Sequence, residues 1–223
     1  MGKPFSLTAG DAHKFGAYRA DPAGKPIGGV VVVQEIFGVN HHIRSVCDRL
    51  AALGYAAVAP ALFDRFLRDF ESGYSADEIA KARGFMPGVD WDAMVRDTAA
   101  AAEVLRPSGK VAVIGFCMGG TMAFLSAAKL DGLVAAVCYY GGGTAKAADA
   151  KPRCPTQMHF GQKDAHIPMS DVAIIRQKRP ECEVFDYPAD HGFYCDERAS
   201  FHAESATIAW GRTIRFLDKA MGR

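Results

Sequence analysis

Residues 111–128 constrain this chain more than any other stretch. From Val111 to Ala128 there is no charge, and Lys110 and Lys129 bound the run. Its 18 residues reach the length of a membrane span. Gly115, Gly119 and Gly120 interrupt it, however, and its character changes on the way. Val111-Ala112-Val113-Ile114 favours extended backbone, whereas Met122 to Ala128 is rich in Ala, Leu and Phe. A buried strand, a tight glycine turn and a buried helix account for the run better than a span does.

The same alternation continues on both sides. Val30–Val33, Tyr55–Ala59, Lys110–Ile114, Val134–Tyr139, Thr156–Phe160 and Glu183–Tyr187 read as short strands. Between them, Ile43, Val46, Cys47, Leu50 and Leu53 recur at helical spacing, with Gly54 placed to end the helix. Asp90 is the expected N-cap of a helix through Leu105. Further helices are expected over 119–129, 170–179 and 198–220, and one short helix, Ala76–Arg83, within the irregular excursion 62–89. Strands alternating with helices predict an α/β fold with a mostly parallel central sheet and helices on both faces. No repeat or low-complexity linker divides the 223 residues, so a single domain over 1–223 is expected.

Composition narrows the function. Twenty-six basic against 25 acidic side chains give a net charge of +1, and no basic run stands out. That argues against nucleic acid as a partner. Met1-Gly2-Lys3-Pro4 leads into no apolar segment of a signal peptide. A loose match to the myristoylation pattern there has no polybasic patch behind it. A cytoplasmic protein without a membrane partner is expected. The six cysteines form no CxxC and are expected to be reduced. His41 and His42 are adjacent, so on a helix they diverge by about 100° and do not clamp one metal. Neither a metal nor an organic cofactor is expected.

The chemistry centres on Gly115-Phe116-Cys117-Met118-Gly119, a strand–turn–helix window of the form Gly-x-Cys-x-Gly. This is a nucleophile-elbow pattern with sulfur in place of serine oxygen. The elbow would set Cys117 at a helix N-terminus, where the dipole favours a thiolate. The Met118 N–H would then face a developing oxyanion. Taken alone, the pattern also fits a core cysteine among packing glycines. Two later loops shift the balance. Asp164 follows the strand 156–160 through Gly161-Gln162-Lys163, and His191 follows the strand 183–187 through Pro188-Ala189-Asp190. Nucleophile, acid and histidine thus follow three strands in the order that an α/β-hydrolase requires. His159 lies within a strand, His166 is too near Asp164, and His202 reads as a helix-surface residue. Asp190 is the alternative acid, awkwardly adjacent to His191.

A second window, Gln34-Glu35-Ile36-Phe37-Gly38-Val39-Asn40, closes the strand 30–33. In such a fold this loop supplies the other oxyanion donor, here the Ile36 N–H. Glu35 is either a carboxylate close to the expected thiolate or a salt-bridged loop residue.

With these windows in hand, the chain resembles the dienelactone hydrolases (carboxymethylenebutenolidases) over nearly its whole length. Phe160-Gly161, Pro168 and His191-Gly192-Phe193 add to the match. The resemblance implies a Cys117–His191–Asp164 triad and hydrolysis of a dienelactone to maleylacetate, a step in chloroaromatic catabolism. It implies that Glu35 holds the resting thiol neutral and swings away when substrate arrives. It also implies arginines that bind the substrate carboxylate. Arg65, in Leu62-Phe63-Asp64-Arg65, matches one. The second is expected four residues after His191, where this chain has Cys195, and the nearest arginine is Arg198. That departure keeps open a broader carboxylesterase or lactonase of the same fold. A redox sensor built on Cys117 is the remaining alternative. The expected partner is a small lactone or ester, and the protein a monomer or small homo-oligomer.

Overall fold

The computed structural model describes residues 1–223, which form two compact units, Met1–Ala112 and Val113–Arg223.

In the first unit, β1 (Lys3–Thr8) and β2 (Lys14–Ala20) form an antiparallel hairpin in which Lys3 faces Arg19 and Thr8 faces Lys14. β3 (Gly29–Val33) is buried along its whole length. Next come α1 (His41–Ala52) and β4 (Ala56–Pro60), and the strand order is β1-β2-β4-β3. β4 is parallel to β3 and antiparallel to β2. Asn40 caps α1 by accepting the Ile43 N–H at 3.3 Å. Gly54, at φ +98°, turns the chain back toward β4. The excursion after β4 holds α2 (Ala76–Gly84), opened by a reciprocal Ser75–Glu78 capping box. α3 (Trp91–Leu105) begins at its Asp90 cap, as its sequence predicts.

β5 (Val111–Phe116) runs from the end of the first unit into the second. It leads into α4 (Met118–Lys129), β6 (Leu133–Tyr139), the single turn α5 (Thr144–Ala147) and β7 (Thr156–Gly161). α6 (Met169–Lys178), β8 (Glu183–Tyr187) and α7 (Ala203–Met221) complete the chain, with strand order β5-β6-β7-β8. β6, β7 and β8 are parallel. The uncharged run 111–128 is therefore strand, turn and helix, and no helix is long and apolar enough to cross a membrane.

The start of the last helix and the role of His202 differ from expectation, and one hairpin is unforeseen. The hairpin β1–β2 is not foreseen in the sequence, because only Leu7 of β1 is buried and Pro4 weakens the strand signal. The last helix starts at Ala203 rather than Arg198. Residues 192–202 instead form successive turns, with Cys195 N–H bonded to Gly192 O, Arg198 N–H to Cys195 O and Phe201 N–H to Arg198 O. His202 is not a helix-surface side chain. Its Nδ1 accepts the Ser205 N–H at 3.3 Å and caps α7.

Candidate active site

Cys117 joins β5 to α4 with φ 55° and ψ −116°, a conformation that a side-chain-bearing residue adopts only under constraint. The constraint is visible. The Cys117 N–H donates to Tyr139 O at 3.0 Å, and the Cys117 carbonyl accepts the Gly120 N–H at 2.9 Å. A Cβ on Gly115 would stand 1.8 Å from the Gly119 carbonyl oxygen, so only glycine fits there. The turn leaves the half-buried Cys117 as the N-cap of α4. Met118 is the first helical residue, and an N–H at that position has no partner inside its helix.

Two other loops of the second unit meet this sulfur. His191, four residues past β8, places Nε2 3.1 Å from Cys117 Sγ. Its Nδ1 lies 2.7 Å from Asp164 Oδ2. Asp164 follows β7, and its other oxygen accepts the N–H groups of His166 at 2.8 Å and Ile167 at 3.2 Å. With its side chain fully buried, the carboxylate is fixed on both oxygens. Burial alone would lower the His191 pKa. The Cys117 sulfur and the Asp164 carboxylate beside it outweigh burial and push it up to about 10. The imidazole therefore holds its second proton readily beside this sulfur.

The neighbours of His191 are equally specific. The Tyr140 ring lies 5.1 Å from the imidazole, and the His166 ring meets it edge-on at 5.5 Å. Asp190, the alternative acid, bonds the His191 N–H rather than its ring. Gly192 has φ +76°, and a Cβ on it would lie 2.5 Å from Arg198 Nη1. The Arg198 guanidinium is thus packed over the backbone next to His191. His159 is buried elsewhere, between Tyr187 Oη at 2.8 Å and Gln157 Oε1 at 3.0 Å. Burial, helped by Arg212, pulls its pKa down to about 3, so it stays neutral.

Glu35 and Ile36 follow β3 in the first unit and are buried. Glu35 Oε2 accepts a hydrogen bond from Tyr74 Oη at 3.1 Å. No sequence pattern links positions 74 and 35. Tyr74 sits in the irregular excursion before α2 and was not foreseen. Arg65 follows β4 with its guanidinium engaged by two carboxylates. Its Nε and Nη2 each lie 2.7 Å from an oxygen of Asp97, and Nη1 lies 3.0 Å from Asp11. Its forked edge is filled by Asp97, whose side chain is fully buried, so no bidentate edge is presented to a substrate carboxylate.

Residues 15–221 match the dienelactone hydrolase family. The chain belongs to that family. A carboxymethylenebutenolidase from Pseudomonas putida is 34% identical to it over 228 residues, covering 95% of this chain and 94% of the relative. A Synechocystis relative, provisionally named a carboxymethylenebutenolidase, is 39% identical over 210 residues and covers 85% of each chain. The crystal structure of a Klebsiella pneumoniae protein, provisionally named a dienelactone hydrolase, matches with a TM-score of 0.83. It is 31% identical and covers 96% of this chain and 98% of its own. This member of the dienelactone hydrolase family is an α/β-hydrolase enzyme that acts on carboxylic esters or lactones.

Proposed function

We propose that the chain hydrolyses a dienelactone (4-carboxymethylenebut-2-en-4-olide) to maleylacetate, with Cys117 as nucleophile, His191 as proton carrier and Asp164 as its orienting acid. One observation carries this reading: a single imidazole stands between a buried carboxylate at 2.7 Å and the elbow sulfur at 3.1 Å.

The thiolate of Cys117 attacks the lactone carbonyl carbon, and the π electrons move to oxygen. The Met118 N–H, free of the helix ladder, supports that oxyanion; loss of one such donor typically costs about 3 kcal/mol of barrier. Collapse breaks the ring C–O bond and leaves a thioester and an enolate. The enolate takes the His191 proton and ketonises. Water then attacks the thioester while His191 accepts its proton, and the thiolate departs. The sum is lactone plus water giving the keto diacid. Because an enolate leaves readily, a soft sulfur nucleophile suffices.

The family resemblance adds a second oxyanion donor at the Ile36 N–H. It also adds Glu35 as the carboxylate that holds the resting thiol neutral. Arg198, packed over Gly192 beside His191, is the arginine we assign to the substrate carboxylate. We place the reaction in the cytoplasm, in aromatic catabolism.

A second reading is a carboxylesterase or lactonase of broader specificity. It is favoured by Cys195 at the family's second arginine position and by the engagement of Arg65 with Asp97 and Asp11. Steady-state kinetics on cis- and trans-dienelactone beside a short-chain p-nitrophenyl ester separate the two. The first reading expects kcat/KM for a dienelactone to exceed that for the ester by orders of magnitude, with Cys117→Ala inactive on both. Comparable values select the second, and an active Cys117→Ala protein removes the mechanism.

A further inference from the structure

We propose that the cavity between α7 and the first residues of β7 and β8 is a binding site for a small polyanion, a molecule carrying two or more carboxylate or phosphoryl groups.

The cavity lies wholly in the second unit and apart from the triad. It is lined by Gln157, the second residue of β7, and by Glu183, the first of β8. Asp164 and His191 stand on the loops after the opposite ends of these parallel strands. The volume is about 320 Å³, room for a small organic molecule. Side chains alternate along a strand. Glu183 and Phe185 therefore face α7, while Asp186 faces the other way, to Arg176 and Gln162.

Charge sets this cavity apart. Arg212, Arg215 and Lys219 of α7 line it. At about 100° per residue they fall within an arc of about 60°, so like charges are neighbours on one helix face. Glu183 is the one carboxylate among the lining residues, and it accepts the Gln157 Nε2–H at 2.9 Å. Arg215 and Lys219 are exposed and stand in no ion pair. Three cations against one carboxylate leave a surplus of two positive charges on the walls. Phe185 and Phe216 add apolar wall, and the whole chain carries a net charge of only +1, so the site suits a small molecule rather than a polymer.

Arg212 is held in place by the protein itself. Its guanidinium lies 4.1 Å from the centre of the Phe185 ring, and its Nη1 donates to Tyr187 Oη at 3.0 Å. The direction of that bond is fixed from inside. Gln157 gives its N–H to Glu183, so its Oε1 accepts the His159 Nε2 proton at 3.0 Å, with Thr213 Oγ1 3.2 Å from the same nitrogen. His159 is neutral, so its Nδ1 accepts the Tyr187 O–H at 2.8 Å. The Tyr187 oxygen is left to accept from Arg212. The other N–H groups of the guanidinium fork remain for an oxyanion, carboxylate or phosphoryl, in the cavity that Arg212 lines.

An NMR titration with citrate and, separately, with inorganic pyrophosphate tests the site, each against sodium chloride at equal ionic strength. Saturating shifts of the amides in 183–187 and 212–219 are expected. Binding of both anions means that charge is read, and binding of one alone assigns the group as carboxylate or phosphoryl. Arg215→Gln with Lys219→Gln, both exposed, should weaken binding about tenfold. Glu183→Gln, which keeps an acceptor for Gln157, should tighten it severalfold by removing a like charge. Lys146→Gln with Lys151→Gln makes the same loss of charge outside the cavity and should bind as the wild type does, as should Arg198→Ala. The proposal is overturned if neither anion gives saturable shifts at these amides. It is equally overturned if the Lys146 and Lys151 changes weaken binding as much as those at Arg215 and Lys219, or if Arg198→Ala alone abolishes it.

Discussion

His191 Nε2 stands 3.1 Å from Cys117 Sγ, and the protonation of that ring depends on the sulfur. Burial works against the imidazolium, whereas the sulfur is the first of the influences that raise its pKa to about 10. The sign follows directly. Taking away the sulfur leaves burial in place and only Asp164 to oppose it, so the midpoint must fall. With the thiol released from Glu35, as in Glu35→Gln, titration of the His191 ring by NMR should show an imidazolium still present at pH 8. In Cys117→Ala the same ring should lose its proton at distinctly lower pH. Coincident titration curves would break the link between the two side chains.

Asp164 gives a sharper test of the proton path. Its Oδ1 bonds to the backbone of residues 166 and 167, and an asparagine oxygen can keep those bonds. The replacement Asp164→Asn therefore preserves the loop but turns an N–H₂ toward His191 Nδ1. That forces the ring proton onto Nε2, where it can no longer accept one from sulfur or water. A drop in kcat of about 10²- to 10⁴-fold is expected, with an unchanged melting profile. Retention of full activity would remove Asp164 from the mechanism.

Burial gives a physical reason to expect the cysteines to differ in reactivity. Cys47 and Cys138 are completely buried, and burial drives their thiol pKa values far up. Burial also pushes Cys154 to about 11 and Cys182 to about 12, while Cys195 is closed off from solvent. Only the thiolate reacts with an alkylating agent. Iodoacetamide at pH 7 should therefore add one group to the folded protein, on Cys117. Intact-mass measurement with peptide mapping checks this, and simultaneous labelling of Cys154 or Cys182 would count against it.

How much of this was legible beforehand depends on the range of the signal. The elbow was readable because Gly115 and Cys117 are neighbours in sequence and the constraint, a carbonyl 1.8 Å from any added Cβ, is local. β3 announced itself as four consecutive valines, and α3 through Asp90. The hairpin β1–β2 did not, since its strands face solvent over much of their length and carry little periodic pattern. The Tyr74–Glu35 bond was out of reach for a different reason: two residues 39 apart meet through an irregular excursion that no periodicity describes. Arg65 shows a third limit of the sequence. The residue occupies its expected place after β4, but Asp97 from α3 and Asp11 from the β1–β2 connection claim its guanidinium.

Arg65 therefore gives a prediction opposite to that of a substrate clamp. The Asp97 side chain has no solvent exposure, and burial raises its pKa although Arg65 lowers it. Arg65→Ala leaves that carboxylate buried without its bidentate partner, a change that costs about 3 kcal/mol. Urea unfolding should show a loss of this order, and Arg65→Met with Asp97→Leu should recover most of it by removing both charges together. Kinetically, any rise in KM for Arg65→Ala should be the same for carboxylated lactones and for neutral aryl esters. Arg198→Ala should instead raise KM only for the carboxylated substrate. A selective rise with Arg65→Ala and none with Arg198→Ala would return the carboxylate to Arg65, and would require the guanidinium to leave Asp97 when substrate binds.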